Sequence, residues 1–291
     1  MSAKSVGLMN MALVTGNRIP HRSAAVPFLL SWSQKAGCTT LLKWFFYHAN
    51  LLDEALDYVS GEVGLNIHLY ERKIFRGRDG YLEDVASDLK SGKPVLNFVR
   101  CPYQRVFSSY MQLCNRFFLG QEKKGIPSPG LLLRRSILDS TYGVNVALDY
   151  PLSFHDYLEW MADQDMSNID PHHTPQSSEI YRYSNISHFR LDDFDQVTSM
   201  LEREYGLRSS DSDERIHSSG HHNPKVELPA AAAIQLLEKS IPLVRSENFK
   251  VPKITEELLR GTRMDYLIRT IFQEDVDLYS SLSSIAIKTS K

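Results

Sequence analysis

Two short apolar runs, each followed by a turn and an amphipathic stretch, dominate the hydrophobic pattern of the N-terminal part of the chain. The first run covers 26–32 and leads through the small-residue segment 33–38 into apolar positions at helical spacing. The second run covers 95–100 and is followed by Cys101, Pro102 and another stretch with helical spacing. Short uninterrupted apolar runs are typical of buried parallel strands, and a proline is well tolerated in the first turn of a helix. The pattern therefore predicts two strand–turn–helix units.

The rest of the pattern adds further strands and helices. Residues 63–70 alternate apolar and polar positions, which predicts a half-buried strand, and 187–191 predict another strand. Helical spacing recurs at 154–161 and, in several pieces, from 230 to 279. Because strands alternate with helices, the sequence predicts an α/β fold with a central, mainly parallel sheet flanked by helices.

We expect one domain rather than two. Residues 1–23 are mixed in character and predict a loosely ordered N-terminal segment, and 24–291 predict a single domain. The stretch 120–151 is rich in Gly, Pro and Ser and is interpreted as an insertion on the substrate side of that domain. The polar, histidine-containing stretch 209–225 predicts a loop.

Composition excludes several classes of protein. The 33 basic and 35 acidic side chains give a net charge of -2, which argues against a dedicated nucleic-acid binder. The three cysteines show no CxxC spacing, which argues against a disulfide framework or a zinc site and favours a reducing compartment. No apolar window approaches the roughly 18 residues of a membrane span, and the N-terminus does not resemble a signal peptide. We therefore expect a soluble, cytoplasmic protein without a membrane span, and the oligomeric state is left open.

The segment after the first predicted strand has the features of an anion site. Gly37 allows close backbone approach, Lys35 adds a positive charge, and Thr39 and Thr40 add hydroxyl groups that can also cap the following helix. The start of a helix presents free N–H groups and the positive end of its dipole. The Walker A spacing G-x-x-x-x-G-K-[ST] is absent, which disfavours an ordinary ATPase or kinase. Taken alone, the segment is better explained as a capped helix after a tight turn.

A second candidate anion site follows the second predicted strand. Arg100 ends that strand, and Ser108 lies eight residues further on the following helix. A phosphate there could take Arg100 as a bidentate partner and Ser108 as a hydroxyl donor. The alternative is that Arg100 and Arg105 form structural salt bridges. Two such units in one sheet indicate a ligand with phosphates at both ends.

Both segments resemble motifs of one enzyme family. The residues Gln34-Lys35-Ala36-Gly37-Cys38-Thr39-Thr40 resemble the phosphosulfate-binding loop of sulfotransferases, in the branch of Golgi carbohydrate sulfotransferases that carries K-x-x-C-T. The segment 98–110 is similar to that family's 3′-phosphate motif, F-V-R-D-P-Y-x-R-x-x-S-x-Y, with Cys101 in place of the usual aspartate. The segment 170–176 is similar to D-x-H-W-x-P-Q, with His173 in place of tryptophan. A common C-terminal helix pattern is matched by Phe272, Asp275, Leu278 and Tyr279.

The resemblance implies a P-loop-like, three-layer α/β fold and a sulfotransferase that depends on 3′-phosphoadenosine 5′-phosphosulfate (PAPS). Such an enzyme transfers the sulfuryl group by in-line displacement to an acceptor hydroxyl, here expected on a carbohydrate or glycoconjugate, and releases the bisphosphate PAP. Lys35 is expected to stabilise charge on the leaving oxygen, without a metal. The cofactor-binding residues that it implies are Lys35, Ala36, Gly37, Cys38, Thr39, Thr40, Arg100 and Ser108.

An acceptor hydroxyl needs a base, and in related sulfotransferases this is often a histidine upstream of the 3′-phosphate strand. His68 is the best positional match, with a structural role as the alternative. His172 or His173 is the alternative base or an acceptor contact. Two rival functions remain open, namely another P-loop-type transferase such as a nucleotide kinase, and a non-catalytic relative that binds nucleotide or glycan.

Three further predictions concern charged residues and cysteines. The basic cluster of Arg72, Lys73, Arg76 and Arg78 is interpreted as a solvated surface run, or as contacts to an acidic acceptor or to the nucleotide. The pair Arg134 and Arg135 allows the same two interpretations. Cys38 and Cys101 are interpreted as parts of anion-binding turns rather than as redox groups.

Overall fold

The computed structural model describes residues 18–60, 66–115, 119, 127–217, 225–226, 228–239, 241 and 251–283. Its strands, in chain order, are β1 (Leu29–Trp32), β2 (Val95–Val99), β3 (Ile186–Arg190), β4 (Lys225–Val226) and β5 (Val251–Pro252). Its α-helices are α1 (Cys38–His48), α2 (Leu52–Ser60), α3 (Ile67–Tyr70), α4 (Tyr81–Lys90), α5 (Pro102–Cys114), α6 (Pro129–Tyr142), α7 (Phe154–Ala162), α8 (Phe194–Glu204), α9 (Glu214–His217), α10 (Ala230–Glu238), α11 (Glu256–Leu259), α12 (Arg263–Ile271) and α13 (Gln273–Ser281).

The first three strands form a parallel sheet in the order β1-β2-β3, which confirms the predicted α/β class. Every residue of β2 is buried, whereas β3 is partly exposed, as expected for a central strand and an edge strand. The register pairs Trp32 with Phe98 and Val99 with Arg190. The three strands therefore end at the same edge of the sheet, and the segments that follow them begin there.

The described chain divides into two compact units, each assembled from separated segments. The first unit takes in the described residues up to Arg100, from Gln176 to 217, and after 279. The second takes in those from 101 to 175 and from 225 to 279. The three-stranded sheet belongs to the first unit, and the helices α5, α6 and α7 belong to the second.

The core of the first unit is aromatic around α1. Phe46 and Phe75 meet edge to face with ring centroids 5.0 Å apart, and Phe45 contacts Phe75 in the same way at 5.8 Å. All three rings are buried. Burying such a ring is worth about 1.5–3 kcal/mol, so this packing fixes α1 against the segment that carries Phe75.

The second unit has its own core, and it encloses an arginine. Tyr110 of α5 packs against Phe154 and Tyr157 of α7, with ring centroids 5.3 and 5.8 Å apart. Arg134 on α6 is 0% exposed, and its guanidinium donates to the carbonyl groups of three residues, Leu113, Leu148 and Tyr150. Arg134 is therefore neither a solvated surface residue nor an accessible contact for an acceptor.

The prediction of a strand at 63–70 is wrong for residues 66–70, the part of this stretch that the structure describes. Residues 67–70 form α3, which continues into a π-helical turn over Glu71–Phe75. The Asn66 side chain accepts from the backbone N–H of His68 and caps this helix. Ile67 and Tyr70 are buried three positions apart, which is helical spacing. Residues 61–65 lie outside the described residues.

Most of the predicted helices are present, with shifted boundaries. The helices predicted after the two apolar runs and at 154–161 correspond to α1, α5 and α7. The helix predicted around 264–279 is two helices, α12 and α13, which meet at Phe272. The described part of the predicted insertion at 120–151 contains α6. The predicted loop at 209–225 contains α9, a helix of a single turn. Within the described ranges, no helix is both long and apolar enough to cross a membrane.

Candidate functional site

The loop between β1 and α1 lies at the carboxyl edge of the sheet and has an unusual backbone. Lys35 and Gly37 both adopt positive φ values, 66° and 71°. A Cβ at Gly37 would lie 2.7 Å from Leu191 Cδ1, so only glycine fits there without displacing that side chain. The left-handed conformation costs a residue such as Lys35 about 1–2 kcal/mol. The surroundings of the loop must therefore hold this conformation.

Hydrogen bonds of Gln176 and Arg100 hold the loop in this conformation. The buried Gln176 side chain accepts from the Arg100 backbone N–H at 2.9 Å and donates to the Arg100 carbonyl at 2.8 Å. Its Oε1 also accepts from Ser33 Oγ at 3.4 Å. The Arg100 guanidinium donates to the Lys35 carbonyl at 2.8 Å, and Arg18 donates to the Gln176 carbonyl at 2.7 Å. One amide thus joins the ends of β1 and β2.

The electrostatic environment of the first turn of α1 favours an anion. Gly37 is the residue before the helix, and neither a side-chain cap nor an acidic residue occupies the first turn. The prediction that Thr39 and Thr40 cap the helix is wrong, because α1 begins at Cys38 and both threonines lie inside its first turn. The positive end of the helix dipole, with no carboxylate in that turn, favours a negative ligand.

His68 reaches this loop from α3. Its Nε2 lies 3.2 Å from Thr39 Oγ1, and its Nδ1 lies 2.8 Å from a carboxylate oxygen of Glu71. The imidazole and the Cys38 thiol also interact electrostatically. Cys38 is partly exposed, whereas Glu71 is only 7% exposed. The structure therefore brings together three predicted site residues, Cys38, Thr39 and His68, with a carboxylate that the sequence did not reveal.

Charges within this cluster support one another. Burial opposes the charge on His68, but interactions with Cys38 and Glu71 outweigh it and raise the pKa of His68 to about 10. Burial likewise opposes the Cys38 thiolate, but the interaction with His68 and the charge of Lys35 lower the pKa of the thiol. At neutral pH the His68 imidazole is therefore protonated, and the Cys38 thiol ionises more readily than an ordinary cysteine.

Glu71 is shared with a second, buried histidine. Its other carboxylate oxygen lies 2.8 Å from His21 Nε2 and 3.1 Å from Arg76 Nη2. Burial, assisted by the Arg76 charge, lowers the pKa of His21 to about 4, so His21 is neutral. Burial opposes the charge on Glu71, but its hydrogen bonds to His21 and His68, together with the Arg76 charge, hold the pKa of Glu71 well below its usual range.

The second unit contains the other predicted histidines. His172 Nδ1 lies 2.6 Å from Asp170 Oδ1, which also accepts the His172 backbone N–H at 2.8 Å. The His172 side chain is 41% exposed. His173 is buried, with its Nδ1 2.8 Å from the Tyr157 hydroxyl. A carboxylate-oriented, accessible imidazole suits a base, whereas the environment of His173 suits a structural role.

The remaining predicted residues divide between the units. Arg100 belongs to the first unit, and Ser108, in the second turn of α5, belongs to the second. The helix α5 carries Pro102 in its first turn, as predicted, and the preceding Cys101 makes no side-chain cap. Of the basic cluster, Arg76 binds Glu71 and Arg78 lies over the Tyr81 ring at 5.0 Å. These two arginines are therefore structural.

Sequence reasoning missed Glu71 and did not assign a role to Gln176. Glu71 follows His68 by three positions, a spacing that would have indicated a pair had the segment been taken as helical. Gln176 ends the segment 170–176, whose resemblance to a family motif does not identify the hydrogen-bond partners of this side chain. Among the residues that the structure describes, no three His, Cys, Asp or Glu side chains are grouped so as to hold a metal ion.

Comparisons with known proteins add no family to this picture. No protein-family model, curated protein or solved structure matched this chain. Its function must therefore be inferred from its own residues and from the motifs that they form.

Proposed function

We propose that this protein is a PAPS-dependent sulfotransferase that transfers a sulfuryl group to a hydroxyl of a carbohydrate or glycoconjugate, on a P-loop-like α/β fold. The observation that carries the proposal is the hydrogen bond from the Arg100 guanidinium to the Lys35 carbonyl. It joins the loop that resembles a phosphosulfate site to the first residues of the 3′-phosphate motif. Ligands of open parallel sheets bind at this edge, beyond the carboxyl ends of the strands.

The chemistry of the loop fits a phosphosulfate. Its potential donors are the Lys35 ammonium, the N–H groups at the start of α1, and the hydroxyls of Thr39 and Thr40, and no acidic residue lies in that turn. PAPS, when bound, supplies an activated sulfuryl group. Arg100 is the proposed 3′-phosphate partner in the first unit, and Ser108 stays a prediction from the motif.

Lys35 is proposed to stabilise the charge that develops on the leaving oxygen. Electrostatic stabilisation is strongest when the charged group is already in position before the reaction. The bonds from Gln176 and Arg100 provide that preorganisation, because they hold the loop in its left-handed conformation. Gln176 is therefore proposed as a positioning residue.

His68 remains the proposed proton-handling residue of the first unit. With a pKa of about 10 it carries a proton at neutral pH, so it can accept the acceptor's proton only after losing its own. An enzyme that uses His68 as base would thus gain activity as the pH rises toward 10. The alternative base is His172, which Asp170 orients, and a His172→Gln variant tests that alternative directly.

The first test is binding of adenosine 3′,5′-bisphosphate, followed by transfer from labelled PAPS to a panel of glycans. Saturation at 100 times the dissociation constant would stabilise the protein by about 2.7 kcal/mol and raise its melting temperature by several degrees. We expect Lys35→Ala to lower turnover by about 10²–10³-fold, by analogy with the loss of one oxyanion donor. Arg100→Ala should mainly weaken bisphosphate binding.

Lys90→Ala, which changes an exposed lysine at the end of α4, is the matched control and should alter neither binding nor turnover. A protein that melts at the same temperature with and without millimolar bisphosphate contradicts the proposal. Stabilisation by the bisphosphate without transfer to any acceptor would instead indicate a non-catalytic binding protein. Stabilisation by Mg²⁺–ATP alone would indicate a kinase.

A further inference from the structure

Both ring nitrogens of His68 face side chains of the first unit. Its Nδ1 lies 2.8 Å from Glu71 Oε2, and its Nε2 lies 3.2 Å from Thr39 Oγ1. A carboxylate only accepts hydrogen bonds, so Nδ1 carries a proton in this arrangement. A base must come within hydrogen-bond reach of the proton that it takes, and the nitrogen that would do so is directed at Thr39. The imidazole therefore acts on the loop through the Thr39 hydroxyl.

Glu71 is in turn held from its other side. Its Oε1 lies 2.8 Å from His21 Nε2 and 3.1 Å from Arg76 Nη2, and the residue is only 7% exposed. Because both carboxylate oxygens have partners, the carboxylate cannot rotate without breaking a buried contact. The hydrogen bond that one ring nitrogen makes determines the orientation and the tautomer of a histidine. Glu71 therefore fixes the direction in which His68 Nε2 points.

The charge of His68 determines the direction of the Thr39 hydroxyl proton. The ionisable groups that act on the imidazole are Cys38, from α1, and Glu71, and Arg72 donates to the His68 backbone carbonyl at 3.3 Å. Burial opposes the charge, but the interactions with Cys38 and Glu71 outweigh burial and raise the pKa of His68 to about 10. A protonated imidazole donates from both nitrogens, so Thr39 Oγ1 accepts from Nε2 and its own proton points away from His68.

The surroundings of Thr39 indicate what that proton can meet. Thr39 is partly exposed in the first turn of α1, where the helix presents its free N–H groups and no acidic residue is present. Lys35 belongs to the loop that leads into the same turn. A hydroxyl whose oxygen already accepts a hydrogen bond is a donor toward an anion bound there.

We propose that Glu71 and His68 are positioning residues that orient the Thr39 hydroxyl as a donor to an oxyanion, a phosphate or a sulfate group, bound at the start of α1. The inference rests on the proposed function, which places the phosphosulfate of PAPS in this loop. It revises the role of His68, which then acts on the donor side of the reaction and leaves the proton of the acceptor to a different base.

The two roles of His68 have opposite pH dependences. A base gains activity as the pH rises toward 10, whereas an orienting imidazolium loses its effect, because a neutral Nε2 accepts the hydroxyl proton and turns it away from the anion. The test is the affinity for adenosine 3′,5′-bisphosphate and for inorganic sulfate between about pH 7.5 and 10.5, where the phosphate groups are already ionised. Affinity should fall with pH more steeply in the unaltered protein than in Thr39→Val, in which Lys35 titrates alike but the hydroxyl is missing.

Variants measure the contribution of the oriented hydroxyl. At about pH 7.5, Thr39→Val should weaken the binding of both ligands by about tenfold, and Thr39→Ser, which keeps the hydroxyl, by less than about threefold. Thr270→Val, an exposed change on α12, is the matched control and should leave both affinities unchanged. His68→Gln should also weaken binding, and the double variant with Thr39→Val should bind no more weakly than the weaker single variant, because both changes remove the same interaction.

The part of Glu71 is tested without a ligand, because Glu71→Gln is expected to destabilise the protein. Nitrogen NMR signals of His68 in the unaltered protein should show both ring nitrogens protonated at neutral pH, and Thr39→Val should move the Nε2 signal more than the Nδ1 signal. A His68 that is neutral at neutral pH, or an Nε2 signal that does not respond to Thr39→Val, overturns the inference.

The binding results separate this inference from the proposed function. Equal pH dependences in Thr39→Val and the unaltered protein, or losses of affinity that add fully in the double variant, overturn the inference while bisphosphate binding still supports the proposed function. Binding of sulfate with the expected dependence on Thr39 and His68, but no binding of the bisphosphate, supports the inference and overturns the proposed function. Binding of neither ligand overturns both.

Discussion

Glu71 is a buried carboxylate that contacts three basic side chains of the first unit, those of His21, Arg76 and His68. One of its oxygens serves His21 and Arg76, and the other serves His68. Because the carboxylate is buried, its charge is balanced by Arg76 and by the protonated His68 rather than by water. Glu71 favours the charged form of both histidines, but burial and the Arg76 charge keep His21 neutral, whereas His68 is charged.

Replacing Glu71 with Gln should destabilise the protein by about 3–5 kcal/mol at pH 7, because it leaves buried positive groups without their partner. Urea unfolding measures this change. Glu83→Gln, an exposed change on α4, is the control and should cost less than about 0.5 kcal/mol. A cost for Glu71→Gln no greater than that of the control would show that the carboxylate carries no such role.

The same residue predicts how stability depends on acid. The pKa of Glu71 is lower in the folded protein than in the unfolded chain, so its contribution is present at neutral pH and is lost as the pH falls below the unfolded value of about 4.5. Unfolding free energies measured between pH 6 and 3 should therefore fall less steeply in Glu71→Gln than in the unaltered protein. Parallel curves for the two proteins would refute this assignment.

The loop and helix α1 illustrate what the sequence can predict about an element. The strands β1 and β2 were predicted because continuous apolar runs identify buried parallel strands, whereas the strand predicted at 187–191 has no such run and corresponds to the partly exposed β3. The anion loop was predicted from Lys35, Gly37 and the helix start, all of which are local in sequence. The alternation at 63–70 misled because it places Ile67 and Leu69 on one buried face, whereas the helix buries Ile67 and Tyr70 and leaves Leu69 partly exposed.

Gly37→Ala should be more costly than Gly80→Ala, although both glycines precede a helix and both have positive φ. Each substitution incurs about 1–2 kcal/mol for the left-handed conformation. At Gly37 the new methyl group also meets Leu191, which adds about 1–3 kcal/mol, whereas nothing lies within 4 Å at Gly80. Urea unfolding of the two variants measures the difference in unfolding free energy. Equal losses of stability would mean that the Leu191 side chain moves aside without an energetic penalty.

On the scale of the whole molecule, a net charge of -2 conceals charges that both units enclose. The first unit buries Glu71, and the second buries Arg105 and Arg134. Composition could not reveal these residues, because counts do not distinguish a surface arginine from one whose guanidinium binds carbonyl groups of the interior. The role of Gln176 could not be predicted either, because its partners Ser33 and Arg100 are far from it in sequence.

Arg134→Lys should destabilise the protein by about 2–4 kcal/mol, although it preserves the charge. A lysine ammonium cannot reproduce the planar fork that serves three carbonyl groups, and each buried carbonyl left without a donor costs about 1–3 kcal/mol. The neighbouring Arg135→Lys changes a partly exposed arginine and should cost less than about 1 kcal/mol. Thermal unfolding compares the two variants, and similar melting temperatures would contradict the structural role of Arg134.

The position of Gln176 has a consequence for how the protein is made. Gln176 follows Ser33 by 143 residues, so at about 5–20 residues per second a ribosome synthesises the loop roughly 7–30 s before the side chain that secures it. Throughout that interval the nascent chain carries Lys35 and Gly37 without the bonds of the Gln176 side chain to Ser33 and Arg100. Fragments released by stalled ribosomes before Gln176 would therefore lack those bonds, whatever else of the first unit they contain.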